Sequence, residues 1–310
     1  MIARVVRSGF VESVHHGSAV AVDADGDAVA GAGAPGTAVF PRSANKPLQV
    51  VAMVRAGLPL DGALLALAGA SHSGERFHLD GVSRILAGAG LEQQVLQAPP
   101  DLPVDEAERG DWLRLGRRPT SLAHNCSGKH AAMLATCVEN GWPTGSYLRP
   151  EHPLQELIAE TIADLAGEPV AAVGVDGCGA PVYAISLLGL AAAFARIATA
   201  ADTSPEGRVA AAVRRHPEWV GGTGRDVTAL IRGVPGLIAK DGAEAVYAAA
   251  LPDGRAAALK IADGGQRARP VVLAALLRRL GVAAPVLDEL ATAPVLGGGE
   301  PVGVVEAVGI

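Results

Sequence analysis

The stretch Ala245-Val246-Tyr247-Ala248-Ala249-Ala250-Leu251, followed by Pro252-Asp253-Gly254 and then by Ala256-Ala257-Ala258-Leu259-Lys260-Ile261-Ala262, reads as two short apolar runs around a turn. Proline presets φ, aspartate bonds to nearby backbone and glycine accepts positive φ, so the centre reverses the chain and the flanks pair as a hairpin. A second hairpin reads near the other end, with Ser18–Val22 and Ala28–Ala32 around Asp25-Gly26. Apolar residues at i, i+3, i+4 spacing predict helices between them: Pro47–Ala56, Arg76–Ala87, Gly128–Asn140, His152–Ala166, Pro181–Ile197 and Glu206–Arg215. One more amphipathic helix is expected over Arg269–Leu280. Val170–Val175 reads as a short buried strand.

Strands at both ends with helices between them predict one α+β unit over 1–310. Its antiparallel sheet is drawn from about 1–40 and 220–310, with a helical part inserted at about 41–219. A doubly wound α/β fold is disfavoured because strands and helices do not alternate. The longest uncharged run, Gly177–Ala195, contains Gly177, Gly179, Pro181 and Gly189, and reads as buried core rather than a membrane span.

A chain of 310 residues can bury about three quarters of its unfolded surface. With 49% hydrophobic and 19% charged residues it is not a disordered chain. A net charge of −6 without a basic tract excludes a nucleic-acid footprint, and 3% aromatics provide no stacking platform. Cys126, Cys137 and Cys178 make no disulfide framework. The start, MIARVVRSGFVES, has no long apolar run, so a signal peptide is not expected and the reading is cytoplasmic, with no membrane partner.

Four segments carry side chains suited to chemistry. Ser43-Ala44-Asn45-Lys46 is an S-x-x-K ahead of a helix, and one turn puts serine and lysine on one face. Serine attacks only when a base takes its proton, and lysine is a base only when neutral. At its reference pKa of about 10.4, roughly one lysine in a thousand is neutral near pH 7.4. Alone, S-x-x-K is a weak signal, and Ser43 reads more simply as a helix cap. Ala70-Ser71-His72-Ser73-Gly74-Glu75 is a small polar segment after an apolar stretch, and alone reads as an ordinary loop. Lys260 lies inside an apolar strand, where it is either a neutral base or an outward-facing edge residue. Cys126 and Cys178 each sit in a glycine-containing turn and can meet as buried thiols or as metal ligands. Two sulfurs are too few for a zinc site, so His130, Lys129 or Asp176 would have to complete it.

Taken in order, Pro41-Arg42-Ser43-Ala44-Asn45-Lys46-Pro47-Leu48-Gln49, Ala70–Glu75, His124-Asn125-Cys126-Ser127-Gly128-Lys129-His130, Asp176-Gly177-Cys178-Gly179 and Ala258-Leu259-Lys260 resemble the rhizobial-type, serine–lysine class of L-asparaginases over nearly the whole chain. That resemblance implies a fold like the serine β-lactamases and penicillin-binding proteins. It implies an amidohydrolase that converts L-asparagine and water to L-aspartate and ammonia through an acyl-enzyme. Ser43 with Lys46 and Ser71 with Lys260 would face one pocket, and Cys126, Lys129 and Cys178 would hold zinc beside it. Arg42, His72 and Asp176 would hold the charged ends of the substrate, and the protein would be a homodimer. A related glutaminase, a β-lactam- or D-amino-acid-processing hydrolase, and a non-catalytic amino-acid- or zinc-binding module are the alternatives. Neither S-D-N nor K-T-G, the companions of S-x-x-K in the β-lactamases, is present.

Overall fold

The computed structural model describes all residues, Met1–Ile310. The strands are β1 (Ala3–Arg7), β2 (Phe10–His15), β3 (Gly17–Val22), β4 (Ala28–Ala32), β5 (Ala38–Val39), β6 (Ala172–Val175), β7 (Pro181–Ser186), β8 (Ile238–Gly242), β9 (Val246–Ala250), β10 (Ala256–Ile261), β11 (Thr292–Gly297) and β12 (Glu300–Ala307). The helices of the first half are α1 (Lys46–Arg55), α2 (Gly62–Ala68), α3 (Arg76–Gly88), α4 (Glu106–Arg114), α5 (Ser127–Glu139) and α6 (Pro153–Ala166). The second half adds α7 (Leu187–Thr199), α8 (Pro205–Arg215), α9 (Pro217–Val220), α10 (Asp226–Gly233), α11 (Arg269–Arg279) and α12 (Pro285–Leu290).

Strands from the two chain ends do share sheets, but there are two such sheets. One has the order β4-β3-β10-β9-β8, the other β11-β12-β1-β2. All their pairings are antiparallel. The hairpin at Pro252-Asp253-Gly254 joins β9 to β10, with Ala256 opposite Ala250. Both α7 and α11 pack on the five-stranded sheet, and every residue of β9 is buried. A strand covered on both faces reads as an unbroken apolar run rather than an alternating one. A single hydrophobic cluster of 81 residues runs through sheets and helices alike.

Two expectations fail in the middle of the chain. Pro181–Ile197 is not one helix: Pro181–Ser186 is strand β7, and the helix begins at Leu187. The Ser186 hydroxyl accepts from the Gly189 amide and marks the boundary as an N-cap. All of β7 is buried, so it lacks the alternation that separates strand from helix. Its partner β6 is the exposed edge of the sheet β5-β7-β6, with Val175 80% exposed, and not a buried strand. Two strands of this small sheet, β6 and β7, sit within the region expected to be helical.

The candidate site lies where three elements meet. The turn Arg42–Asn45 leads into α1, and β8 lies against it. A side chain at Gly242 would meet the Pro41 carbonyl at 2.8 Å and the Ala44 nitrogen at 3.0 Å. Only glycine lets the end of β8 come this close. Lys240, two residues earlier, projects from the same side of the strand.

Candidate active site

Ser43 stands in a tight 3-10 turn that continues as α1, with Pro47 at the helix start. Arg42 holds a left-handed φ of 51°, which costs a residue with a Cβ roughly 1–2 kcal/mol. Lys46 opens the helix and is buried. Its Nζ donates to the Ala70 carbonyl, and lies 3.1 Å from Ser71 Oγ and 3.1 Å from Cys126 Sγ. Thus Ser71, not Ser43, shares a hydrogen bond with Lys46, and the Ser43 hydroxyl makes none.

Ser71 is placed by its neighbours. The Ser71 amide donates to Val220 O, the His72 amide to Asn125 O and the Ser73 amide to Gly221 O. The Glu75 carboxylate receives the Thr223 amide and hydroxyl, each at 2.7 Å. Gly222, at φ 144°, permits this junction, since a Cβ there would stand 2.2 Å from Ser73 Oγ.

His72 makes its contacts inside the protein. It is fully buried, its Nε2 lies 2.8 Å from Ser127 Oγ, and its ring stacks on His78 at 5.1 Å. Ser127 Oγ already donates to Leu122 O, so His72 Nε2 is the donor and the ring is neutral. Burial pushes its pKa well below the ordinary value, with His78 and Lys46 adding to it. Sealed from solvent, the ring braces the Ser71 segment against the start of α5. Arg42 and Asp176 do come together, with Nε 2.6 Å from Oδ1.

Lys260 is not the partner of Ser71. Its Nζ donates to the carbonyls of Glu244 and Ile261, at 2.9 and 3.0 Å, and it is only half-buried. Glu244 and Ala245 hold φ of 56° and 52° in the link between β8 and β9, so Lys260 caps a strained turn. The buried lysine of this sheet is Lys240, which the sequence reading did not single out. Its Nζ lies 2.6 Å from Asp241 Oδ1 and 2.7 Å from the Asp241 carbonyl. Burial lowers its pKa from 10.5 to about 8; Asp241 opposes the shift, and Lys46 and Arg225 add to it. Two signals pointed to it. Lys240-Asp241-Gly242 is a K-x-G that a search for K-T-G passes over. The chain also has four lysines in all, Lys46, Lys129, Lys240 and Lys260, against 22 arginines, and only lysine can give up its proton in a protein.

The sulfur side of the site converges. Cys126 caps α5, Lys129 follows one turn later, and Cys178 sits in the Asp176–Gly179 turn between β6 and β7. The two thiols are in contact, and Lys129 Nζ lies 3.4 Å from Cys178 Sγ. A hydrogen bond from Cys126, followed by the charge of Lys129, holds Cys178 well below the usual thiol range, and the same hydrogen bond pushes Cys126 up. No three His, Cys, Asp or Glu side chains gather as a metal site. A metal here would take two sulfurs and the amine of Lys129, and the three do lie together. A surface cavity of about 550 Å³ lies elsewhere, between the β3–β4 turn and α7.

No helix is long and apolar enough to cross a membrane. No curated protein matches the chain. One solved structure, described as "Crystal Structure Analysis of Mglu in its tris and glutamate form", is 14% identical with a TM-score of 0.36. That match covers 89% of this chain and 61% of the other, so the chain spans less than two thirds of that structure's length. The model of the family L-asparaginase II matches residues 3–307. The chain therefore belongs to the L-asparaginase II family.

Proposed function

We propose that the protein hydrolyses L-asparagine to L-aspartate and ammonia through an acyl-enzyme on Ser43. The observation that carries this reading is the buried Lys46 amine against Ser71 Oγ, one helical turn from the free Ser43 hydroxyl. As an ammonium, Lys46 fills its three contacts with three N–H groups. Once neutral, it keeps two and turns a lone pair toward a serine hydroxyl. Ser43 Oγ then attacks the side-chain amide carbon while its proton passes to Lys46. Ser71 relays that proton to the departing nitrogen, and ammonia leaves. In the second step water attacks the ester. Neutral Lys240 takes the water's proton, which returns through Ser71 and Lys46 to Ser43 as aspartate is released. General-base steps of this kind contribute about 10²–10⁴ in rate.

Arg42 and Asp176, paired at the site, are the groups we assign to the substrate's carboxylate and ammonium. His72 is left out of the substrate contacts, and Lys240 replaces Lys260 as the second lysine. The sheet order β4-β3-β10-β9-β8, with K-x-G on the edge strand beside S-x-x-K, supports a serine β-lactamase-like arrangement. Zinc would be held by Cys126, Cys178 and the neutral amine of Lys129, leaving a fourth position open. Bound there, it would help to hold a substrate carboxylate, and no proton transfer above passes through it. The resemblance also assigns a homodimer, which sedimentation would measure.

The test is ammonia release from L-asparagine, L-glutamine and a β-lactam, with Ser43→Ala and Lys46→Ala beside the parent. Asparagine turnover lost in both variants, with asparagine still bound by Lys46→Ala, supports the reading. Binding without turnover in the parent would make the protein a binding module. An acyl adduct on Ser71 instead of Ser43 would exchange the two serines.

A further inference from the structure

Asp241 is a buried carboxylate whose two oxygens do different work. Oδ1 takes Lys240 Nζ at 2.6 Å. Oδ2 takes Arg225 Nη2 at 2.7 Å and faces Arg269 Nη1 at 3.4 Å. Arg269 is itself fixed: Nη2 lies 3.0 Å from Asp226 Oδ2, and its guanidinium covers the Tyr247 ring at 5.0 Å. Arg225 follows Gly222-Thr223-Gly224 directly, so it is carried by the segment that positions Ser71.

We propose that Asp241, gripped on its far oxygen by Arg225 and Arg269, is the positioning residue for Lys240, and that Arg225 governs how firmly Asp241 holds the Lys240 proton. A carboxylate alone beside a buried lysine would lock it as an ammonium, because an opposite charge within about 4–6 Å favours the charged form. Two guanidiniums on the other oxygen divide that attraction. Lys240 keeps a fixed place but loses its proton more easily. The groups acting on it are Asp241 from its own strand, Lys46 from α1 and Arg225 from the loop before α10. Arg269, Asp226 and Tyr247 stand one contact further out, around Asp241. The lowered pKa of Lys240 agrees with this geometry.

This inference rests on Lys240 being the second base, and the experiment separates the two. The pH profile of kcat for L-asparagine, which contains the deacylation step, is measured on the full-length parent, Arg225→Met, Arg225→Lys and Asp241→Asn, with thermal melts as a check on folding. Removing Arg225 should move the ascending limb up by about one pH unit, the size of shift one neighbouring charge produces. Arg225→Lys should restore most of it. Asp241→Asn should move the limb the opposite way and lower the plateau, because Lys240 loses both its counter-charge and its anchor. If Asp241→Asn does not fold, the two Arg225 variants decide. A folded Arg225→Met enzyme with an unmoved limb overturns the proposal. A Lys240→Met enzyme with parental activity overturns the base assignment beneath it, whatever the Arg225 variants do.

Discussion

The β8 strand at Lys240 and the β10 strand at Lys260 are the same kind of sequence, a lone lysine in an apolar run, and they meet opposite ends. Leu237-Ile238-Ala239 leads into Lys240, and Ala257-Ala258-Leu259 leads into Lys260. Both strands belong to one sheet, with β9 between them. Lys260 reaches out to the Glu244 carbonyl of a turn and to the Ile261 carbonyl of its own strand. Lys240 is fully buried beside a carboxylate that two arginines share. An isolated buried ammonium is costly, so burial of a lysine needs either a partner or loss of the proton. Lys240 has the partner, and burial lowers its pKa to about 8 so that it gives up its proton more readily, which suits it to chemistry. Lys260 needs neither, because solvent and carbonyls satisfy it.

The widest separation between the two should come from truncating each lysine. Lys240→Met should lower kcat by about 10²–10⁴, the range for loss of a general base. Steady-state ammonia release would measure it. A loss from Lys260→Met as large as that from Lys240→Met would erase the distinction.

Lys129 is a third buried lysine and extends the contrast, because its counter-charge is sulfur. Against its own burial, the Cys178 thiolate holds its pKa up. Cys178→Ala should strand that cation and destabilise the fold by about 3–5 kcal/mol. Denaturant unfolding is the measurement, and an unchanged midpoint would show that Lys129 never depended on the thiolate.

The pH profile sharpens the Lys240 half. Burial disfavours its ammonium, so its folded pKa is lowered to about 8. The neutral, active form therefore grows as pH rises. Activity should climb about tenfold per pH unit below 8 and level above it. A flat profile between pH 6 and 9 would remove Lys240 from the rate-limiting proton transfers.

The smallest effect belongs to Lys260→Met on stability. Losing one hydrogen bond to the strained Glu244 turn and one to the Ile261 carbonyl should cost about 1–2 kcal/mol, with kcat within about twofold of the parent. A melt with no shift would mean that the turn holds itself.

Much of the fold was legible because its signals are local. The turn chemistry of Pro252-Asp253-Gly254 and Asp25-Gly26 marks hairpins that lie where expected, and S-x-x-K does sit at the head of α1. Ser43, Lys46 and Ser71 were legible as site candidates, as was the meeting of Cys126, Lys129 and Cys178. Where the reading failed, the missing information was which surface another element covers. Strand β7 is sealed on both faces, so its apolar run carries no period of two and passed for helix. Val173 and Val175 are apolar yet stand on an open edge, where no pattern in their own strand could announce it.

By itself, then, the sequence determined the local turns, the helix starts and the short list of residues able to do chemistry, because each depends on neighbours a few positions away. Only the tertiary structure decided which lysine faces which serine. Lys46 turns to Ser71 across a gap of 25 residues, and Lys240 is pressed under the serine turn because Gly242 lets β8 approach it. Burial and charge partners set whether a lysine can be a base, and both are contributed by segments far away in the chain.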